Sequence, residues 1–346
     1  MEIGSEFSTR SISFGENEYF QLSSYPKRYV LSGRTGLYLI AEELKTKFLN
    51  ISLPDYCCGS MIAPFVKQGF HVSFYPAFDL NNAKIDESVQ IVLIMDYFGF
   101  LSDQTLQFVS QCKKNGKIVI IDATQTAFSH SKTYELADYI VVSYRKWFDS
   151  LCAVVYSKNG FKVSENNREH PSYTKIWRNA AILKEKYLKD CCGDKERFLT
   201  LFAKASNELD VDYINYSVNA SEIEIMRNAD SSLLRKIRRK NAKYLINEVK
   251  KISKNFDIQL IFDAIGDEDC PLFVPILLNE DKRTIIRNEL IKNNIYCPIH
   301  WPIDQRYPYS KTFYHQREFS LICDQRYGLE EMRKQILILS KSLIDY

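Results

Sequence analysis

Polar side chains follow three apolar runs of the sequence, at the points where the runs end. Asp122 closes one run and Gln125 lies three residues beyond it, Ser143 closes a second run with Lys146 three residues beyond, and Tyr97 closes a third. In an open α/β sheet, ligands bind beyond the carboxyl ends of the strands, which makes these side chains candidate site residues. Taken singly, each also has a structural explanation, because such residues commonly cap helices, hydrogen-bond turns or face solvent.

Taken together, Lys146, Asp122 and Ser143 have the chemical types that one cofactor requires. Pyridoxal 5′-phosphate needs a lysine amine to form a Schiff base, a carboxylate to keep the pyridine nitrogen protonated, and hydrogen-bond donors for the phosphate. These three residues are therefore candidates for a pyridoxal-phosphate site.

A glycine-bearing turn precedes the first predicted helix and offers a second phosphate-binding element. It reads Ser32-Gly33-Arg34-Thr35, followed by Gly36. Backbone N–H groups at a helix start favour an anion. The turn is neither a Walker loop nor a GxGxxG motif, so it gives no support to a nucleoside-triphosphate or dinucleotide site.

The runs that carry these residues predict a mainly parallel sheet covered by helices. The predicted strands are His71–Tyr75, Ile91–Tyr97, Lys117–Asp122, Tyr139–Tyr144 and Cys152–Tyr156, and the predicted helices are Thr35–Phe48, Ser60–Gln68 and Asp103–Lys114. Gly69 and Gly116 stand at helix ends, where a left-handed residue is favoured.

Beyond residue 158 the pattern changes to long polar helices and then to a smaller α+β region. The predicted helices are Thr174–Lys189, Lys195–Ala205, Glu222–Ile252, Lys282–Asn293 and Leu329–Leu343, and the predicted strands are Ile258–Phe262, Leu272–Leu278 and Ile295–Ile299. The basic cluster 235–240 lies within a long helix with apolar residues at helical spacing. It is interpreted as a solvated helix face.

Composition excludes several classes of protein. The 346 residues are 45% hydrophobic and 26% charged, which is typical of a globular chain of about two domains. The formal charge of +3 provides no strong electrostatic field that would attract nucleic acid. The N-terminal residues and the apolar runs predict neither a signal peptide nor a membrane span. The nine cysteines show no zinc-ligand spacing and are interpreted as reduced, mainly buried thiols. We expect a cytoplasmic protein that binds no metal.

Most of the chain resembles one family. The segments SGRTGL, LPDYCCGSMIAPFVKQGFHVSFY, YFG, IIDATQT and ADYIVVSYRKW, in this order, resemble the DegT/DnrJ/EryC1/StrS group of fold-type-I pyridoxal-phosphate aminotransferases, which aminate nucleotide-linked keto-sugars. Further on, NASEIEIMRNADSSLLRKIRRKNAKYL, NNIYCPIHWP and SLICDQRYGLEEM look like later segments of that group. The chain departs from it in the short Ser-x-x-Lys spacing, which is more similar to class V aminotransferases, and in lacking the Gly-Glu-Gly-Gly run after the lysine.

The resemblance assigns roles residue by residue. Lys146 would form the Schiff base, Asp122 would pair with the pyridinium and Gln125 would bond the phenolic oxygen. The phosphate would be bound by Ser143 and by the turn Ser32, Gly33, Arg34 and Thr35. Cys58 occupies the place of the usual ring-stacking aromatic residue, Tyr56 lies two positions earlier, and Tyr97 is a further cofactor-binding candidate.

Three residues near the C-terminus are candidates for substrate binding. His300 and Trp301 would line the substrate entrance, although a rigid strand end flanked by prolines explains them as well. Arg326 would pair a substrate carboxylate through its guanidinium fork, although a structural salt bridge with Asp324 is the alternative.

The resemblance implies an aminotransferase that moves an amino group from glutamate or glutamine to a ketone, a nucleotide-linked keto-sugar of surface-polysaccharide or secondary-metabolite synthesis. It further implies a large cofactor-binding domain with an N-terminal arm (1–215), a smaller α+β domain (216–346), and a homodimer with shared active sites. The alternatives are an amino-acid-type transaminase, a lyase, dehydratase or decarboxylase on the same scaffold, and a non-catalytic binding protein. Lys146 disfavours the dehydratase branch, which has histidine there.

Overall fold

The computed structural model describes residues 2–9, 15, 25–190, 193–307 and 312–345. Its strands are β1 (Ile3–Gly4), β2 (Lys27–Val30), β3 (Asn50–Pro54), β4 (His71–Tyr75), β5 (Ile91–Ile94), β6 (Ile118–Asp122), β7 (Tyr139–Ser143), β8 (Ala153–Ser157), β9 (Gln259–Leu260), β10 (Val274–Leu277), β11 (Ile295–Tyr296) and β12 (Glu318–Leu321). Its helices are α1 (Gly33–Leu44), α2 (Gly59–Lys67), α3 (Asp103–Lys114), α4 (Tyr173–Asp190), α5 (Lys195–Val211), α6 (Ala220–Arg227), α7 (Ser231–Ile252), α8 (Glu280–Lys292), α9 (Phe313–Arg317) and α10 (Leu329–Asp345).

A seven-stranded sheet in the order β2-β8-β7-β6-β5-β3-β4 positions the candidate residues. The strands β4, β3, β5, β6 and β7 pair in parallel, and β8 runs antiparallel to both β7 and β2. Successive residues of the central strands are buried on opposite faces, with Ile120 and Val141 in one apolar core and Ile121 and Val142 in the other. Burial on both faces explains the continuous apolar runs and confirms the predicted mainly parallel sheet.

The C-terminal region forms smaller sheets. Strands β12, β10 and β9 pair antiparallel, and the N-terminal strand β1 pairs in parallel with β11. The pairing of β1 holds the first residues of the chain against the C-terminal region. Helices α4 and α5 form a hairpin with its own apolar cluster, which includes Tyr173, Trp177 and Phe202.

The predicted secondary structure differs from the observed elements at several strands. The strand β3 was not predicted, because it offers only Ile51 and Leu53 around a serine; its stability comes from pairing with β4 and β5 on both sides. The predicted strand Ile91–Tyr97 ends at Ile94, since the chain turns at Phe98, which has a positive φ of 57°. Strands β2 and β12 were also missed.

The predicted helix Glu222–Ile252 is two helices, α6 and α7. The Asp230 side chain accepts a hydrogen bond from the Leu233 backbone N–H at 2.8 Å and so caps the start of α7. The other predicted elements are present with ends that differ by a few residues, and Gly69 and Gly116 have the expected positive φ.

The basic cluster of α7 is not a solvated face throughout. Arg238 is only 1% exposed. Its guanidinium donates to the Leu272 carbonyl at 2.9 Å and to the Gln325 side chain at 2.8 Å, and lies 4.6 Å from the centre of the Trp147 ring. The interpretation failed here because helical periodicity does not distinguish a buried cation with polar partners from a solvated one.

The cysteines agree with their interpretation as far as the structure describes them. Of the seven described, six are buried and Cys58 is half-buried, and they form no disulfide with one another. The adjacent pair Cys191 and Cys192 lies outside the described residues. None of the helices in the described part of the chain combines the length and apolar character needed to span a bilayer.

Candidate active site

A cavity of about 230 Å³ lies at the carboxyl ends of the parallel strands. It is lined by residues that follow β3, β5, β6 and β7 and by the first turn of α1. The predicted residues on its wall are Ser32, Gly33, Arg34, Cys58, Asp122, Gln125, Ser143, Lys146, His300 and Trp301. The fold thus brings together side chains that are separated by up to 269 positions, from Ser32 to Trp301.

Lys146 lies in a short 3₁₀ turn that follows β7 directly. The side chain borders the cavity and is accessible from it, yet desolvation by the surrounding protein lowers the pKa of its ammonium, and the adjacent Arg145 charge lowers that pKa further. The following residue anchors the turn, because the Trp147 indole donates to the Thr124 carbonyl at 2.8 Å and the Trp147 carbonyl accepts from Gln325 at 2.7 Å.

Asp122 is the last residue of β6 and is buried at the floor of the cavity. One carboxylate oxygen accepts the Thr124 backbone N–H at 2.9 Å. Desolvation raises the pKa of Asp122, and the hydrogen bonds from Thr124 oppose that shift. No lysine or arginine of the described chain forms an ion pair with this carboxylate, which leaves it available to a cationic group in the cavity.

The N-terminus of α1 faces the ends of β6 and β7. The Ser32 hydroxyl accepts the Thr35 backbone N–H at 3.1 Å and contacts the Thr35 hydroxyl at 2.9 Å, so Ser32 caps the helix. A Cβ added at Gly33 would lie 3.4 Å from the Ser143 Cβ, which shows how closely the turn approaches that strand end. The role of this turn in phosphate binding stays a prediction from the sequence.

Arg34, in the same turn, is held at the side of the cavity. It forms an ion pair with Asp210 of α5 at 2.5 Å, and its guanidinium lies 5.4 Å from the centre of the Tyr213 ring. Thr35 itself is buried behind the turn and does not line the cavity.

The side-chain oxygen of Gln125 and the hydroxyl of Tyr97 take part in structural contacts. The Gln125 side-chain oxygen accepts the Phe98 backbone N–H at 2.6 Å, although the side chain still borders the cavity. The Tyr97 hydroxyl donates to the Tyr56 carbonyl at 2.7 Å, and the two rings lie 5.6 Å apart in an aromatic cluster. Neither tyrosine lines the cavity. Of the two ring-stacking candidates, only Cys58 reaches it, with its sulfur 2.8 Å from the Ser60 hydroxyl.

His300 and Trp301 also line the cavity. The His300 backbone N–H donates to the buried carboxylate of Glu318 at 2.6 Å, and the His300 carbonyl accepts the Tyr56 hydroxyl. Trp301 packs against Tyr56 with ring centres 5.2 Å apart. His300, Trp301 and Glu318 belong to the C-terminal region, so that this region completes the wall of the cavity.

Arg326 lies outside this cavity and forms a salt bridge with Asp324, which was the structural alternative to a role in substrate binding. Its Nε and Nη2 donate to the two carboxylate oxygens of Asp324 at 2.9 and 2.7 Å. The ion pair holds the pKa of Asp324 below its ordinary range despite burial, which opposes that shift. Its guanidinium also donates to the carbonyls of Ser5 and Glu6.

Several residues of the cavity wall were not predicted. They include Thr124, Ser206, Asp210 and Phe273. Thr124 accepts the Ser143 backbone N–H at 3.2 Å and so joins the ends of β6 and β7. Its position in Asp122-Ala123-Thr124-Gln125 was a usable signal, whereas nothing in the sequence connects α5 or residue 273 with the site.

Comparisons with known proteins agree on the fold. No protein-family model matches the chain, and no curated protein matches its sequence significantly. Among solved structures it is similar to Helicobacter pylori PseC, an aminotransferase of pseudoaminic acid biosynthesis, with 13% identity over 100% of both chains and a TM-score of 0.67. It is also similar to the sugar aminotransferase CalS13 of Micromonospora echinospora, with 11% identity over 91% of this chain and 87% of that one and a TM-score of 0.58.

A third similar structure contains a cofactor. It is NtdA of Bacillus subtilis with bound PMP, with 15% identity over 92% of this chain and 73% of that one and a TM-score of 0.63. The chain therefore has the fold of the fold-type-I aminotransferases, as the sequence predicted.

Proposed function

We propose that this protein is a pyridoxal-phosphate-dependent aminotransferase that takes an amino group from an amino-acid donor, glutamate or glutamine, and passes it to the ketone of a nucleotide-linked sugar. One observation carries the proposal. Lys146, Asp122 and the N-terminus of α1 converge on one cavity at the carboxyl ends of parallel strands. These are the amine, the carboxylate and the anion site that one cofactor needs.

The charges around the cavity fit the cofactor at both of its ends. Asp122 is a buried carboxylate with no ion-pair partner among the described residues, and a protonated pyridine nitrogen would offset the desolvation that raises its pKa. At the other end, the first turn of α1 and the Ser143 hydroxyl would bind the phosphate, since the partial positive charge of a helix start and a hydroxyl donor meet there. PMP bound to a protein of the same fold supports this assignment.

When bound, pyridoxal 5′-phosphate supplies an aldehyde that reacts with amines and an aromatic ring that withdraws electrons. Lys146 would bind the aldehyde through Nζ until the donor amine displaces it. The free Nζ would then take the proton from the α-carbon of the donor, a task favoured by its lowered pKa. Asp122 would keep a proton on the ring nitrogen, and the Trp147 contacts would hold the Lys146 turn in place.

The acceptor is inferred from the similar structures and from the shape of the site. CalS13 is a sugar aminotransferase, which supports a keto-sugar as acceptor. His300 and Trp301 border the cavity and would contact the acceptor. The opposite proposal, an amino-acid-type transaminase, is an outcome of the test below.

We further propose a homodimer in the cytoplasm, with the chain divided into a large domain (1–215) and a small one (216–346). The homodimer is what the resemblance of the chain to the fold-type-I aminotransferases implies. Light scattering of the purified protein measures the mass of the particle, and a monomer at all concentrations contradicts the dimer.

The covalent link tests the function most directly. The protein purified with pyridoxal 5′-phosphate should be yellow, and borohydride should fix the cofactor on the peptide that carries Lys146. Lys146→Ala should keep the fold and lose turnover by orders of magnitude, because the amine that binds the cofactor and moves the proton is absent. Lys132→Ala, which removes an exposed lysine of a different cavity, is the matched control. A colourless protein, or label on another lysine, contradicts the proposal and favours a non-catalytic binding protein.

A half-reaction then identifies the reaction class. Glutamate and glutamine should convert the cofactor to its amine form, and a nucleotide-linked keto-sugar should convert it back. A panel of such sugars that leaves the amine form unchanged, while a simple keto acid restores it rapidly, identifies an amino-acid-type transaminase. Loss of carbon dioxide or of a leaving group without amino transfer identifies a lyase, dehydratase or decarboxylase.

A further inference from the structure

A second cavity of about 200 Å³ borders Lys146 beneath the N-terminal segment. The two cavities share Arg145, Lys146, Leu272, Phe273 and His300, but the second contains none of the predicted phosphate-binding residues. Its roof is formed by residues 5–7 of the N-terminal segment. A ligand in this cavity would therefore reach Lys146 from the side away from the α1 turn.

The N-terminal segment is held in this place by several contacts. Arg326 donates to the carbonyls of Ser5 and Glu6 at 3.2 Å each, and the buried Lys184 donates to the Glu6 carbonyl at 2.5 Å. The Gly4 backbone N–H donates to the Tyr327 hydroxyl at 2.9 Å. The cavity is therefore enclosed by ordered chain on this side.

Four cations line this cavity, and three of them have partners or a role. Arg326 pairs with Asp324, and Arg238 donates to backbone carbonyls and to Gln325. Lys146 is the residue to which we assign the cofactor. The fourth cation is Arg145.

Arg145 has few partners among the described residues. Its Nη1 donates to the Tyr173 hydroxyl at 3.2 Å, and its guanidinium lies 5.1 Å from the centre of the Trp177 ring. No carboxylate of the described chain forms an ion pair with it, although Glu6 and Asp210 are near enough for their charges to interact with it. A guanidinium has five N–H donors in a fork that matches a carboxylate, so most of its donors remain for a ligand.

We propose that Arg145 binds the carboxylate of the amino-acid donor in this second cavity and so determines that the enzyme accepts α-amino acids. The proposal rests on the proposed function and names the residue that selects the donor.

The position of Arg145 also agrees with the reaction. It is the chain neighbour of Lys146, and both side chains border both cavities. A carboxylate on Arg145 would hold the adjacent α-carbon on the Lys146 side of the site. Orientation of this kind raises the rate of proton transfer, because the reacting atoms are already placed.

The test measures binding of glutarate, a dicarboxylate without an amino group, which occupies a carboxylate site but cannot react. Binding is measured by calorimetry to the protein with and without pyridoxal 5′-phosphate, and cofactor affinity is measured separately by absorbance. Arg145→Gln should weaken glutarate binding roughly 10- to 100-fold, the range expected for hydrogen bonds to a charged group, while cofactor affinity stays within about 2-fold. Arg145→Lys should retain part of the affinity, since it keeps the charge and loses the fork.

Two further variants control for structural effects. Tyr173→Phe removes only the phenolic oxygen that orients Arg145 and should weaken glutarate binding by a few fold. Arg333→Gln makes the same charge change at an exposed site on α10 and should leave glutarate binding unchanged. Unfolding curves of each variant verify that it is folded under the assay conditions.

The outcomes separate this proposal from the proposed function. A loss of cofactor affinity in Arg145→Gln with unchanged glutarate affinity overturns the proposal, because Arg145 would then bind the cofactor phosphate. Equal glutarate affinity in the wild type and Arg145→Gln, or no glutarate binding by the wild type, also overturns it. If the wild type takes up no cofactor but binds glutarate through Arg145, the proposed function fails and the carboxylate site stands.

Discussion

The contact of Gly36 with the large sheet allows a quantitative prediction about the first turn of α1. A Cβ at this position would lie 2.7 Å from Val155 Cγ2 and 2.8 Å from Val141 Cγ2. Optimal carbon contacts are about 3.5–4.0 Å, so Gly36→Ala requires a displacement of the order of 1 Å. Overpacking of this kind costs about 1–3 kcal/mol, and the better helix propensity of alanine offsets about 0.5–1 kcal/mol of it. We expect a net loss of about 1–2 kcal/mol in the free energy of unfolding.

The displacement should also affect the cofactor, because α1 carries the predicted phosphate-binding turn. Urea unfolding monitored by circular dichroism measures the stability, and a cofactor titration followed by absorbance measures the affinity, which should fall. Gly33→Ala is the control in the same helix, since its Cβ would meet Ser143 at an ordinary 3.4 Å; its stability should change by less than about 0.5 kcal/mol.

A double variant identifies the cause. Val155→Ala removes one of the two methyl groups in the way, so its cost should be smaller in the Gly36→Ala background than in the wild type, with a coupling of at least about 0.5 kcal/mol. If Gly36→Ala is as stable as the wild type, or if the two changes are additive, the close packing of α1 on β7 and β8 is not what requires glycine here.

Two further predictions follow from buried charges. Asp122→Asn should raise the stability of the cofactor-free protein at neutral pH, because the raised pKa of this buried carboxyl makes its ionised form destabilising. The gain should disappear as the pH falls below about 3, where the carboxyl is protonated in both the folded and the unfolded state. The half-reaction of the loaded protein should slow severely, so unchanged turnover refutes the role of Asp122. Arg238→Met should lower the free energy of unfolding by about 2–4 kcal/mol in urea titrations, since it leaves buried carbonyls unpaired. Lys236→Met, at an exposed position of the same helix, should change this free energy by less than about 0.5 kcal/mol. Equal effects of the two variants contradict the structural role of Arg238.

The sequence carried enough information for the large sheet and for the residues at its strand ends. A strand buried on both faces must be apolar throughout, so Ile118–Asp122 and Tyr139–Ser143 stand out, and the polar residue that ends each run marks the edge where a ligand can bind. Strand β3 has too few apolar residues to stand out in this way, because its pairing on both sides is a property of the assembled sheet.

Side-chain partners were beyond the reach of the sequence. Helical periodicity placed Arg238 on a helix, but only packing against Trp147 and the carbonyls of a distant loop makes it a buried cation. Likewise, the spacing that marks Tyr97 as a strand-end residue says nothing of its hydrogen bond to the Tyr56 carbonyl, which holds its ring away from the cavity.

What the sequence determined by itself was therefore local: the order of strands and helices, the glycines at helix ends, and the chemical types of Lys146, Asp122 and Ser143, since periodicity and turn chemistry act over a few residues. The tertiary structure decided which of these residues meet. Arg145 illustrates the difference, because its type and position are evident from the chain, whereas its lack of a carboxylate partner depends on where every other charged residue in the described part of the fold lies. Long-range contacts of this kind are made by residues far apart in the chain, and no local pattern records them.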